Sequence, residues 1–287
     1  MLASSTFVRG PLAGCGIGLR AQHVREVMER TPACAWFEIH SENYFAPGGA
    51  QRAALERIRA DYAISAHGVG LSPGSAGPID AAHVEKLAEL VRWLEPALGS
   101  EHLAWGAIDG THLNDLLPLP YSEEALAHMV VQVSAVQERL RRPILIENVS
   151  SYLELPGADM PEWEFLAELA RRSGCGILLD VNNVYVSARN HGFDPITYID
   201  ALPASAIGEL HVAGHSEQVF DGHTIVVDTH NARVLPVVWL LLHHAARRFG
   251  EVPVLIEWDS DLPAFEVLEQ EAAIARAYME IRHDRAA

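Results

Sequence analysis

Three short stretches of the chain share one layout: PILIE (143–147), GILLD (176–180) and PVLIE (253–257). Each sets a breaker residue, then three apolar residues, then an acid. A brief apolar run of this kind reads as a strand buried on both faces. A carboxylate at its end is costly unless it meets water, a counter-charge or a metal ion. One such acid alone is commonly a helix cap or the partner of a loop arginine. Three of them, Glu147, Asp180 and Glu257, leave their strands at equivalent depth and point to a shared task.

Histidines gather at the same kind of position. The chain has 15 of them, and several sit in helix-like stretches where they read as composition. Others do not. His67 ends AISAH, His102 opens EHLAW (101–105), and His211 lies near the end of IGELHV (207–212), with His215 just beyond. His40 ends AWFEIH (35–40), and Glu42 and Asn43 follow it; Asn148 follows Glu147. A further pair, Asp228 and His230 in VVDTH, is two residues apart, and on an extended segment such residues share a face. His67, His102, Glu147, Asp180, His211, Asp228, His230 and Glu257 are more donors than one ion needs. Mixed imidazole and carboxylate donors suit iron, manganese or zinc, and carboxylates can bridge two or three ions. No cysteine stands at these positions, which disfavours iron–sulfur clusters and cysteine-rich zinc sites.

The elements that must carry these residues alternate regularly. With the seven runs above, GIGLR (16–20) completes a set of eight, each followed by a helix-like pattern. Ser122 before Ala125 and Asp194 before Pro195 read as helix caps. Eight such units predict an α/β fold, a single (β/α)8 TIM barrel spanning residues 1–287, whose chemistry lies at the C-terminal ends of the strands. Residues 1–13 read as a flexible lead-in. The segment 213–230, with its strand-like HTIVVDTH, reads as a hairpin-like excursion over the barrel mouth.

Bulk properties narrow the partners. The chain has 287 residues, 49% of them hydrophobic, enough for a large core. Its net charge of −17 repels phosphate backbones, so nucleic acid is not an expected partner. The three cysteines form no CxxC pair, which suits a reducing compartment. No apolar run approaches the roughly 20 residues of a membrane span, so no membrane association and a cytoplasmic location are expected.

The segments GIGLR, FEIHSENYF, HGVGLSPGS, SEHLAW, NDLLPLPYSEEAL, ENVSSY, LLDVNNVYVSARNHGFDP, ELHVAGH, VDTH and LIEWD run through nearly the whole chain. In them the chain resembles the family of multinuclear non-haem iron enzymes that includes MbnB and TglH, long catalogued as a domain of unknown function. The resemblance implies a TIM barrel holding two or three irons, of mixed Fe(II)/Fe(III) valence, with O2 as co-substrate. It adds Asn183 to the ligands, giving His67, His102, Glu147, Asp180, Asn183, His211, Asp228, His230 and Glu257. It implies oxidation of cysteine in a ribosomally synthesised precursor peptide, delivered by a small partner protein. On that footing Asp259 or Asp261 is a candidate base for a substrate amide N–H. His40, Glu42, Asn43, Asn148 and His215 are candidates to contact substrate or brace the ligands.

Two other readings compete. A divalent-metal sugar isomerase or phosphodiesterase shares the barrel and a His/Glu/Asp mouth. An isomerase calls for a lysine near the metals, yet Lys86 is the only lysine and lies in a helical pattern; a phosphodiesterase calls for a basic rim. A non-enzymatic metal-handling scaffold is the third. For copper it would favour soft Cys and Met donors over this harder set.

Overall fold

The computed structural model describes residues 7–108 and 111–280. The strands, in chain order, are β1 (Cys15–Gly18), β2 (Trp36–His40), β3 (Ala63–His67), β4 (Leu98–His102), β5 (Trp105–Ile108) and β6 (Thr111–Leu117). Then come β7 (Leu145–Glu147), β8 (Gly176–Asp180), β9 (Ile207–Val212), β10 (Ser216–Phe220), β11 (His223–Val227) and β12 (Val254–Ile256). The helices are α1 (Val24–Arg30), α2 (Gly49–Ile58), α3 (Ala81–Leu94), α4 (Glu123–Leu140) and α5 (Glu162–Ser173). They continue with α6 (Val181–His191), α7 (Pro195–Ala201), α8 (Pro236–Phe249) and α9 (Phe265–Glu280). Strands β1, β2, β3, β4, β7, β8, β9 and β12 pair in parallel in that order and close on β1, forming the TIM barrel that the strand–helix alternation predicts. The caps at Ser122 and Asp194 form, each accepting from backbone N–H groups of its helix. Among the described residues no helix is long and apolar enough to cross a membrane.

Two antiparallel hairpins stand outside the barrel. The β10–β11 pair fills the excursion after β9; Asn190 on α6 holds it through both the N–H and the carbonyl of Val226. The β5–β6 pair has no counterpart in the sequence reading. Two other boundaries move. The fourth strand is Leu98–His102, so His102 closes it instead of opening it: LGSEH carries too few apolar residues to be read as a buried strand, yet pairs fully with its neighbours. After β8 a helix begins at once. Asp180 caps it, and Val181, Val184 and Ala188 form its buried stripe.

For residues 1–6 the lead-in expectation lies outside the described residues, and from Phe7 onward it is overturned. Phe7 joins Leu12, Trp36, Leu98, Leu145, Leu178 and Leu255 in an apolar plug that seals the lower end of the barrel. Gly176 and Gly208 make room for it: a Cβ at Gly208 would stand 2.7 Å from the Phe7 ring, and one at Gly176 would stand 2.8 Å from it. Arg9 fastens the segment by donating to the carbonyls of Ala204, Ile207, Phe249 and Glu251 at 2.8–3.0 Å. A short segment with little apolar sequence can still dock when the closed barrel offers it a greasy socket.

Above the plug the interior turns polar. Ser65 on β3 reaches across to Glu209 on β9 at 3.5 Å, and the strand ends beyond carry the acids and imidazoles. This division predicts that Phe7→Ala costs stability without touching the mouth. Truncating a buried phenylalanine typically costs about 3 kcal/mol, to be read from urea unfolding midpoints, with metal uptake unchanged.

Candidate metal centre

Barrel geometry turns scattered strand ends into two converging groups. Ligand atoms of His67, His102 and Glu147 lie within 4.8 Å of one another, as do those of Glu147, Asp180, His211 and Glu257. Glu147 belongs to both. The equal depth expected for the three acids is not how they meet. Glu147 pairs with Leu178, while Asp180 pairs with His211 and His211 with Leu255. The strands of a closed barrel are staggered, so residues at different register reach the same height in the lumen.

Each imidazole is held from behind. His67 Nδ1 shares a 2.7 Å hydrogen bond with Ser100 Oγ, and His102 Nδ1 donates to the Gly68 carbonyl at 3.1 Å. A carbonyl only accepts, so Nδ1 of His102 carries a proton and Nε2 is the nitrogen turned to the mouth. The two Nε2 atoms stand 3.3 Å apart, each 3.3 Å from Glu147 Oε2. Asp180 is braced through its own backbone. Asn148 donates Nδ2 to the Asp180 carbonyl and accepts the Asp180 N–H at Oδ1, at 3.0 and 2.9 Å. Asp180 Oδ1 caps α6 by accepting from the Asn183 N–H at 2.7 Å, which leaves Oδ2 buried with no partner.

A third cluster lies beside these. His230 Nε2 is 2.7 Å from Asp228 Oδ1, and its Nδ1 is 2.9 Å from Asp259 Oδ2. The pair sits on the loop after β11, and His230 takes a left-handed φ of 44° that turns its ring toward Asp228. Asn182 donates to Asp228 at 2.7 Å, and His215 Nδ1 meets Asn182 Oδ1 at 2.6 Å. Arg20 clasps Asp259 Oδ1 through Nε and Nη2, at 3.1 and 2.5 Å. Asn183 sits near but is engaged elsewhere: Nδ2 donates to the Asn148 carbonyl and Oδ1 accepts from Ser150 Oγ at 2.7 Å.

The other candidates divide. His40 faces Asp259 at 3.7 Å and belongs with Glu257 and Asp259 in a third converging trio. Glu42 instead accepts the N–H groups of Val69 and Gly70, tying down the loop after β3. Asn43 is exposed, and Asp261 is an exposed loop acid that accepts from Asn231. The sequence reading passed over Arg20, Asn182, Glu38 and Glu209. The last two were visible as a repeated E-x-H, in FEIH and GELH, since alternate strand residues point into one lumen.

The crowding is electrostatic as well as steric. Burial pushes Asp180 up to about 7, Asp228 adding repulsion, and pushes Glu147 well above the usual carboxylate range. Burial opposes a charge on His102, yet Glu147 and Glu101 bring it to about 9. Burial and then Asp259 oppose the charge on Glu257, but His230 and His211 hold it down near 2. Without a cation the group needs protons to balance its acids. Glu147 Oε2, Asp180 Oδ2 and His211 Nε2 are buried without hydrogen-bond partners. Converging, orphaned O and N donors of this mixture fit divalent transition-metal ions.

A cleft leads here from the side. A groove of about 900 Å³ runs between the loop after β3, the β5–β6 hairpin and the start of α4, with Leu71, Ile79, Trp105, Ile108, Leu119 and Leu155 in its wall. A smaller cleft shares Gly70 and Ser72 with it and reaches His102.

Comparison with known proteins places this geometry. The model of the RiPP precursor modification enzymes MbnB/TglH/ChrH matches residues 14–280. A UPF0276 protein of Anaeromyxobacter sp. (strain Fw109-5) is 51% identical over 261 residues, 91% of each chain. One of Acaryochloris marina is 48% identical over 268 residues, 93% of this chain and 95% of the other. Among solved structures, endonuclease IV from Thermus thermophilus aligns with a TM-score of 0.61 at 17% identity, over 93% of this chain and 99% of that one. The zinc-bound IOLI protein aligns at 0.58 and 14%, over 93% and 96%. At such identities these structures share the fold.

The charge balance predicts a pH dependence for the metal-free protein. Asp180 rises from 3.8 to about 7 on folding, so its contribution is lost as pH climbs through 7. His102 rises from 6.5 to about 9, so its contribution is full below 6.5 and lost as pH climbs through 9. Both slopes have one sign. The thermal midpoint of chelator-treated protein should fall between pH 6 and pH 9, and a divalent metal should narrow the fall. A flat or rising midpoint in the metal-free protein would contradict this balance.

Proposed function

The chain belongs to the MbnB/TglH/ChrH family of RiPP precursor modification enzymes, and from that membership we propose that its mouth holds two or three iron ions and uses O2 to oxidise cysteine in a ribosomally synthesised precursor peptide. The observation that carries the reading is the shared carboxylate: Glu147 stands between a His67/His102 pair and an Asp180/His211/Glu257 trio. A carboxylate so placed suits a bridge between two ions. Asp228 and His230, with the lone pair that Asn183 Oδ1 keeps after accepting from Ser150, are the residues left for a third.

Bound iron would supply a Lewis acid for the cysteine thiolate and a redox relay through which the cysteine, the net electron donor, reduces O2. The protein does the rest. Ser100, Gly68 and Asn148 fix the ligands' orientation, so little reorganisation accompanies metal loading. The apolar plug closes the lower end of the lumen, so substrate and water enter from the mouth alone. Of the two acids after β12, Asp259 is the better base for a substrate amide N–H. It faces the ligands, and Arg20 and His230 keep it ionised, whereas Asp261 turns outward to Asn231.

The groove beside the mouth suits an extended peptide, with its small cleft guiding one side chain toward His102. Exposed apolar residues crown both hairpins, Ile108 on β5, Leu113 on β6, Val219 and Phe220 on β10, and suit a small partner protein that presents the peptide. The three free, buried cysteines suit the reducing cytoplasm. The sugar-isomerase reading lacks its lysine, since Lys86 is exposed on α3.

Asp180→Asn tests the centre, because it keeps an N-capping side chain while removing the charge. Expected are a lower iron-to-protein ratio, loss of O2 uptake driven by a cysteine-containing peptide, and an unchanged circular dichroism spectrum. Full metal content in the variant would sink the ligand assignment. Iron-loaded wild type that no cysteine peptide stimulates would favour a metal-handling scaffold instead.

A further inference from the structure

Beneath the converging ligands lies a pair of acids that the oxidation chemistry does not use. Glu38 on β2 and Glu209 on β9 are both 0% exposed, one inward step below His40 and His211. The Ser65 hydroxyl donates to Glu38 Oε2 at 3.1 Å and lies 3.5 Å from Glu209 Oε2. Their other oxygens have no hydrogen-bond partner, and neither has His211 Nε2. These three atoms face one another, with Nε2 at 3.6 Å from Glu38 Oε1 and 3.7 Å from Glu209 Oε1. The other edge of the ring points up: Nδ1 makes a 3.1 Å hydrogen bond with Glu257, a contact that a bound ion would replace, and lies 3.6 Å from Glu147. The His211 imidazole thus spans the ligand tier and the acid tier.

Two fully buried carboxylates above an apolar plug are a costly way to fill space, and apolar side chains would pack there more stably. Behind a metal-bound histidine the cost has a use, because a carboxylate on the far nitrogen fixes the tautomer and raises the donor strength of the near one. We propose that Glu38 and Glu209 are positioning residues that together hold the proton on His211 Nε2, so that Nδ1 offers its lone pair to the ion held by Glu147, Asp180 and Glu257. The N–H lies between the two carboxyl groups and is held by their joint field, which burial leaves weakly screened. The inference rests on the reading of the mouth as a metal centre.

The test uses the full chain with Glu38→Gln, Glu209→Gln and the double variant, and Glu162→Gln as a buried acid remote from the mouth. Ferrous iron is titrated anaerobically against a competing chelator, and zinc-loaded protein is examined by histidine nitrogen NMR. The double variant should bind one ion about 10–100-fold more weakly, leave the other affinities in place, and shift the Nε2–H resonance of His211. Its metal-free unfolding midpoint should stay close to that of wild type, and Glu162→Gln should bind as wild type does. Unchanged affinity with an unchanged His211 signal overturns the proposal. So does loss of one whole iron equivalent with the remaining affinities intact, which would make the two acids ligands themselves. A wild type that takes up neither ion overturns the metal-centre reading, a failure visible before any variant is made.

Discussion

Everything in this structure answers to one constraint: acids from different strands end within a few ångströms of one another, out of water. Glu147, Asp180 and Glu257 converge around His211, with Glu38 and Glu209 directly below. Mutual repulsion and desolvation work in the same direction there, and the histidines alone offset them only by holding protons. A cation in place of those protons satisfies the donors at lower cost. The barrel must therefore be rigid enough to hold like charges together and must expose them on one side only.

Its construction serves both ends. Below, Phe7 and Leu12 fold back into the barrel and complete an apolar plug, so that the lumen has a floor. Above, the candidate ligands are braced by groups that do not themselves converge on the centre. Asn148 pairs with the backbone of Asp180 much as a neighbouring strand would, and Asp180 divides its oxygens between the cap of α6 and the lumen. The helix cap and the converging carboxylate, two alternative fates for a strand-end acid, are here the same residue.

The rim is built from what the barrel does not need. Both hairpins follow strands that carry candidate ligands, β4 with His102 and β9 with His211. Arg20, at the end of β1, is the positive counterpart inside this acidic mouth: it holds Asp259, which in turn backs His230. Gly18 leaves the space this guanidinium fills, since a Cβ there would stand 3.0–3.1 Å from it.

Much of this was legible in the residues alone. Breaker, apolar triplet and acid, repeated three times, marked buried strands with charged ends, and eight alternations sufficed for the barrel, because local period and chain length are sequence properties. The ligand-bearing residue types at strand ends could be named for the same reason. Which of them meet could not. Shear staggers the strands, so Glu147, Asp180 and Glu257 reach one point from different registers. Closure decides that Ser65 bridges acids on opposite sides of the lumen and that Glu42 turns to a loop instead of the centre. Docking decides that a lead-in with little apolar sequence becomes a floor. The sequence by itself determined most of the barrel strands, their order along the chain and the chemistry of their ends. Only the closed barrel decided the grouping, because distances between strands far apart in the chain exist nowhere in its local pattern.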